Sequence, residues 1–88
     1  MREIIYKVFV ECEEDIRLGY TLYREETEGE VYYSLEITEC RAEIETDRIF
    51  LEDVCRSPDG AYSLTELFKR ERVTPCTALY ILEELLPI

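Results

Sequence analysis

Three stretches in the first half of the chain alternate apolar and polar residues with a period of two. A helix would scatter such a pattern around its axis, whereas a strand sorts it onto two faces. Over 4–12, Ile4, Tyr6, Val8, Val10 and Cys12 fall on one side and Ile5, Lys7, Phe9 and Glu11 on the other. Over 18–26, Leu18, Tyr20 and Leu22 point inward, and over 31–39 Val31, Tyr33, Leu35 and Ile37 do the same. Glu13-Glu14-Asp15 and Glu28-Gly29-Glu30 separate the runs and read as turns.

After Cys40 the apolar phase shifts at Ala42 and Ile44, which predicts a turn near 40–43 and a fourth strand over about 44–54 carrying Ile49, Leu51 and Val54. Two alternatives stay open here: a turn at Glu45-Thr46-Asp47-Arg48, or a short helix over 48–56, where Leu51, Val54 and Cys55 have helical spacing.

The rest of the chain changes period. Ser57-Pro58-Asp59 combines a capping hydroxyl, a proline suited to the first helical position and an acid at the positive end of the dipole. Ala61, Leu64, Leu67 and Phe68 then form one stripe, with Lys69, Arg70 and Arg72 at its end. Thr74-Pro75 repeats the start signal. Ala78, Leu79, Ile81, Leu82, Leu85 and Leu86 make a second stripe, with Thr77, Tyr80, Glu83 and Glu84 facing solvent and Pro87 as the stop. Strands first and helices after predict an α+β fold: a four-stranded antiparallel sheet followed by two C-terminal helices packed on one face, as a single domain over 1–88.

The segment F-L-E-D-V-C-R-S-P, the amphipathic helix, R-V-T-P and A-L-Y-I-L-E-E-L-L, from Phe50 to Leu86, together with Gly19-Tyr20-Thr21-Leu22 and Tyr32-Tyr33-Ser34-Leu35-Glu36-Ile37, resemble a family of short bacterial proteins classed as a domain of unknown function. In that family strands lead into a helix, a V-T-P break and a closing helix. The resemblance implies the fold and no activity. The family usually has a histidine shortly after the T-P break; this chain has Cys76-Thr77-Ala78 instead.

The chemistry available is limited. There is no histidine, so none of the four cysteines has the usual base of a nucleophilic site. Cys12, Cys40, Cys55 and Cys76 are far apart in sequence and lack a paired knuckle, so free thiols with no metal are expected. No phosphate loop, dinucleotide fingerprint or hydrolase elbow occurs. The expectation is a protein that is not an enzyme and needs no cofactor.

Charge narrows the partners. Twenty-one acids against ten bases give −11, which disfavours direct nucleic-acid binding and anionic membranes. The two-helix hairpin lacks the basic or amide residues of a recognition helix. The N-terminal apolar run alternates and reads as a strand, not a leader, so the expected location is cytoplasmic. Two surfaces remain. The outward sheet face should expose Phe9, Tyr23 and Tyr32, residue types favoured in interfaces, for a protein partner or a second copy of the chain. Alternatively, Glu26, Glu28 and Glu30, or Glu43, Glu45 and Asp47, recur every second residue, roughly 6.6 Å apart on an extended strand. Such a rim suits an inhibitor that imitates nucleic acid in the groove of a DNA-binding enzyme, of the anti-restriction or anti-CRISPR type.

Overall fold

The alternation does build strands. The computed structural model describes residues 1–85, the side chain of Leu85 excepted; the expected continuation of the last stripe through Leu85 and Leu86 and the stop at Pro87 lie outside the described residues. Strands β1 (Arg2–Glu11), β2 (Ile16–Thr27), β3 (Glu30–Arg41) and β4 (Ile44–Cys55) form one antiparallel sheet in the order β1-β2-β3-β4. Helices α1 (Pro58–Arg70) and α2 (Pro75–Leu85) follow. The turn after β3 is the pair Ala42–Glu43, and β4 is a strand throughout; neither the alternative turn at 45–48 nor the helix over 48–56 forms. The β2–β3 turn is the pair Glu28–Gly29, both with positive φ, the geometry that matches strand twist in a two-residue hairpin.

Residues directly opposite each other share a face, so the register sorts the side chains. Val8, Val10, Leu18, Tyr20, Leu22, Tyr33, Leu35, Ile37, Ile49 and Leu51 lie on the helix-covered face. There they meet Phe68, Val73 and Ala78. One expectation is corrected. Ile4 stands opposite Tyr23 but Tyr6 stands opposite Leu22, so Ile5 is an extra residue in β1. A bulge of this kind reverses the phase. Ile4 therefore points to the outer face and is 55% exposed, while Ile5 packs toward Leu22, Tyr33 and Ala61. Two more irregularities break β4, at Thr46 and across Glu52–Val54, where Asp53 has φ +55.

The helix starts form as their sequences dictate. Ser57 Oγ accepts from the Gly60 N–H at 3.1 Å. Thr74 O accepts from the Ala78 N–H at 3.0 Å ahead of α2. α1 ends with Arg72 at φ +52, the Val73 N–H donating to Phe68 O at 3.0 Å and the Arg72 N–H to Lys69 O at 3.2 Å. This is the left-handed close usually made by glycine. The Tyr20 hydroxyl donates to Val73 O at 2.8 Å and ties that junction to the sheet. Leu79, expected in the apolar stripe of α2, is exposed; Ala78, Ile81 and Leu82 carry the contact with the core.

Candidate interaction surface

Both helices pack on one face, which leaves the other face of the sheet open. Its residues follow from the register. Phe9, Gly19, Thr38 and Arg48 make one row across the strands; Lys7, Thr21, Glu36 and Phe50 make the next. Ile4, Tyr23 and Ser34, then Arg2, Glu25 and Tyr32, complete the face. The three aromatic residues expected here, Phe9, Tyr23 and Tyr32, all lie on it. Phe9 sits toward one end and the two tyrosines toward the other.

The aromatic rings are braced by their neighbours. Gly19 leaves room for Phe9: a Cβ there would stand 3.0 Å from the ring and 2.7 Å from Thr38 Oγ1. Tyr23 and Phe50 pack with centroids 5.8 Å apart. The Arg2 guanidinium lies over both, 5.4 Å from the Tyr23 centroid and 4.5 Å from that of Phe50. Lys7 and Arg17 approach Phe9, and Arg56 approaches Tyr32 at 5.4 Å. Such cation–aromatic contacts contribute about 0.5–1 kcal/mol at exposed sites. The Tyr23 hydroxyl donates to Glu36, which also pairs with Arg48. Burial first, and the Glu36 charge second, raise the Tyr23 phenol above its ordinary pKa.

Under Arg2 lies a buried carboxylate. Glu25 is 6% exposed. It accepts from Arg2 Nε at 2.7 Å and from the Ser34 hydroxyl, which in turn accepts the Asp53 N–H at 3.1 Å. Burial alone would raise the Glu25 pKa. The bonds from Ser34 and Arg2, with the Arg2 charge, outweigh it and hold the carboxyl below its ordinary value. A depressed folded-state pKa contributes stability that is present above the unfolded value and lost as pH falls through the folded one. Denaturant titrations from neutral to acidic pH should therefore show the advantage of the wild type over Glu25→Gln shrinking as the pH drops through and below the ordinary carboxylate range. An advantage independent of pH would mean that the ionised form is not what the site holds.

Arg2, Phe50 and Ile4 belong to this surface but were not legible as such. The bulge hid Ile4, and the unsettled phase of the fourth strand hid Phe50. The outward position of Glu36, directly opposite Phe50, was the available signal.

The acidic triplets are arranged differently from the expectation. Glu26 sits opposite Val31 on the helix side and pairs with Arg24 at 3.3 Å; Glu28 is in the turn; Glu30 is opposite Thr27 and lies 3.7 Å from Arg56. The hairpin therefore splits the three between two strands and their turn. Glu43 is likewise a turn residue, and the bulge at Thr46 puts Glu45 and Asp47 on opposite faces. Neither triplet forms the single-sided row anticipated from an extended strand.

Cys12, Cys40 and Cys55 are half-buried and Cys76 is exposed. Among the described residues, no group of three histidine, cysteine, aspartate or glutamate side chains is placed to hold a metal ion. No described helix is long and apolar enough to cross a membrane.

No curated protein and no solved structure matches the chain. A family model does, over residues 1–87, and by that match the chain belongs to the family of unknown function DUF6514.

Proposed function

We propose that this protein is a non-enzymatic interaction module that binds a protein partner through the outer face of its sheet. What supports the reading is the make-up of that face. Arg2, Lys7, Arg17, Arg48 and Arg56 stand there against Glu11, Glu25, Glu30, Glu36, Glu45 and Glu52. The face is thus close to neutral, in a chain whose net charge is −11. It combines these charges with Phe9, Tyr23, Tyr32 and Phe50, and aromatic residues and arginine are the types enriched in protein interfaces. Elsewhere acids gather at the turns, as Glu13, Glu14, Asp15, Glu28 and Glu43, where they favour solubility and discourage non-specific contact.

The test is a cross-linking pull-down from the native host, repeated with two variants. Tyr23→Ser/Tyr32→Ser should abolish capture of the partner while the domain stays folded. Charge reversal at Glu26, Glu28 and Glu30 should have a smaller, salt-dependent effect, because exposed charges are screened over about 8–10 Å. The opposite ranking, with the glutamates dominant and capture falling steeply with salt, would replace this reading with nucleic-acid mimicry.

A further inference from the structure

Among the described residues no strand pairs with the outer edge of β1, and the sequence of that edge is complementary to itself. Met1 and Glu26 exchange both backbone hydrogen bonds at 2.9 Å, and the Cys12 N–H donates to Ile16 O at 2.7 Å. Bonded and non-bonded pairs alternate along an antiparallel ladder. Counted from both ends, with the extra residue at Ile5, the alternation makes Tyr6, Val8 and Val10 the residues bonded to β2. The N–H and C=O groups of Lys7, Phe9 and Glu11 then point away from the sheet. The Tyr62 hydroxyl donates to Ile5 O at 3.4 Å and the Tyr6 hydroxyl donates to Glu66, so α1 touches the strand at the start of this segment.

The opposite edge is guarded. β4 carries two bulges and a positive φ at Asp53, and Glu45, Asp47, Arg48, Glu52 and Asp53 crowd it with charge. These are devices that block strand addition. β1 beyond its bulge has neither a further bulge nor a positive φ; its charges are Lys7 and Glu11, the latter 2.6 Å from Arg17 of β2, and Phe9 between them is 52% exposed.

We propose that two copies of this chain join through antiparallel pairing of β1, centred on Phe9, into one continuous sheet of twice the width. The segment Lys7-Val8-Phe9-Val10-Glu11 is a charge-complementary palindrome. Centred on Phe9, the pairing sets Lys7 against Glu11 of the second copy, Val8 against Val10 and Phe9 against Phe9. The free backbone groups of Lys7, Phe9 and Glu11 then meet their counterparts and extend the ladder. The valines continue the helix-side core across the join, and the phenylalanines pair on the outer face.

No neighbouring register works as well. Centring on Lys7 or Glu11 sets like charges directly opposite, which is destabilising. Centring on Val8 or Val10 keeps the free backbone groups in step but sets Phe9 against Lys7 or Glu11 and removes the Lys7–Glu11 pairs. The partner is a second copy because the segment supplies its own complementary order. The pairing leaves Tyr23 and Tyr32 uncovered and does not depend on the outer-face reading.

Sedimentation over a concentration series at physiological ionic strength should show a species of twice the 10.5 kDa chain mass. Lys7→Glu sets acid on acid in a pair of identical chains, and Glu11→Lys sets base on base. Each should weaken association about tenfold or more, since two cross-strand pairs change sign. An equimolar mixture of the two variants should restore it, because opposite charges then face each other. In the wild type the amides of Lys7, Phe9 and Glu11 should gain protection from hydrogen exchange as concentration rises, a measurement that needs no variant. A wild type that stays monomeric, a dimer indifferent to both variants, a mixture that fails to associate, or three amides that exchange freely in the dimer would each overturn the proposal. None of these outcomes bears on Tyr23 and Tyr32.

Discussion

Phe68→Ala is expected to remove about 3–5 kcal/mol of folding stability, the cost typical of deleting a fully buried aromatic ring. The residue has no exposed surface and packs in one cluster with Leu18, Tyr20, Leu35 and Ile37 from the sheet and Val73 and Ala78 from the helical segment. It is therefore the largest fully buried side chain that α1 sets against the sheet. Its carbonyl closes the helix by accepting the Val73 N–H, and alanine keeps that bond, so the loss reports packing alone. A chain of 88 residues has a total stability of roughly 4–13 kcal/mol. The variant should be close to unfolding at ambient temperature. Urea denaturation measures this, with Tyr80→Ala as the control. Tyr80 is 71% exposed, and its replacement should change stability by no more than about 0.5 kcal/mol. A comparable small change at Phe68 would mean that α1 does not cover the sheet.

Residues whose environment is decided by near neighbours were readable. Leu18-Tyr20-Leu22 and Tyr33-Leu35-Ile37 occupy central strands, where one face is covered and each strand has two partners, so period two survives unaltered. The Ser57 hydroxyl caps α1 within one helical turn, and Thr74 opens α2 with its hydroxyl 2.9 Å from that of Thr77. What was not readable depends on contacts across the sheet. The bulge at Ile5 has no glycine or proline to mark it, and either isoleucine fits either phase until Tyr23 and Leu22 fix the register. Arg72 adopts a positive φ without a glycine signal because Phe68 and Val73, both buried, close the helix around it. Leu79 looks like a stripe residue by spacing, but Ala78, Ile81 and Leu82 are enough to seat a short helix. On the candidate surface the aromatic residues could be named from alternation, whereas Arg2 and Glu25, separated by 23 positions, come together only through β1–β2 pairing.

Ser34→Ala is expected to cost about 1–3 kcal/mol, far more than the loss of one hydroxyl would suggest. The hydroxyl serves two groups at once. It donates to the Glu25 carboxylate and accepts the Asp53 N–H, and Ser34 itself is fully buried on a central strand. Alanine leaves a buried carboxylate with Arg2 alone and an amide at a left-handed residue without its acceptor. A buried polar group that loses its partner bears its desolvation cost uncompensated. The irregularity in β4 depends on the same bond, since Ser34 is the β3 residue facing the widened stretch between Leu51 and Cys55. Denaturation should show the loss, and it should be greater at neutral than at acidic pH, where Glu25 takes up a proton. Hydrogen exchange should find the Asp53 amide less protected while the amides of Leu22 and Leu35 keep their order of protection relative to each other. Ser34→Thr, which retains a hydroxyl, should recover part of the stability and the Asp53 protection. A Ser34→Ala protein as stable as the wild type at neutral pH would show that the Arg2–Glu25 pair and the β4 bulge stand without the link between them.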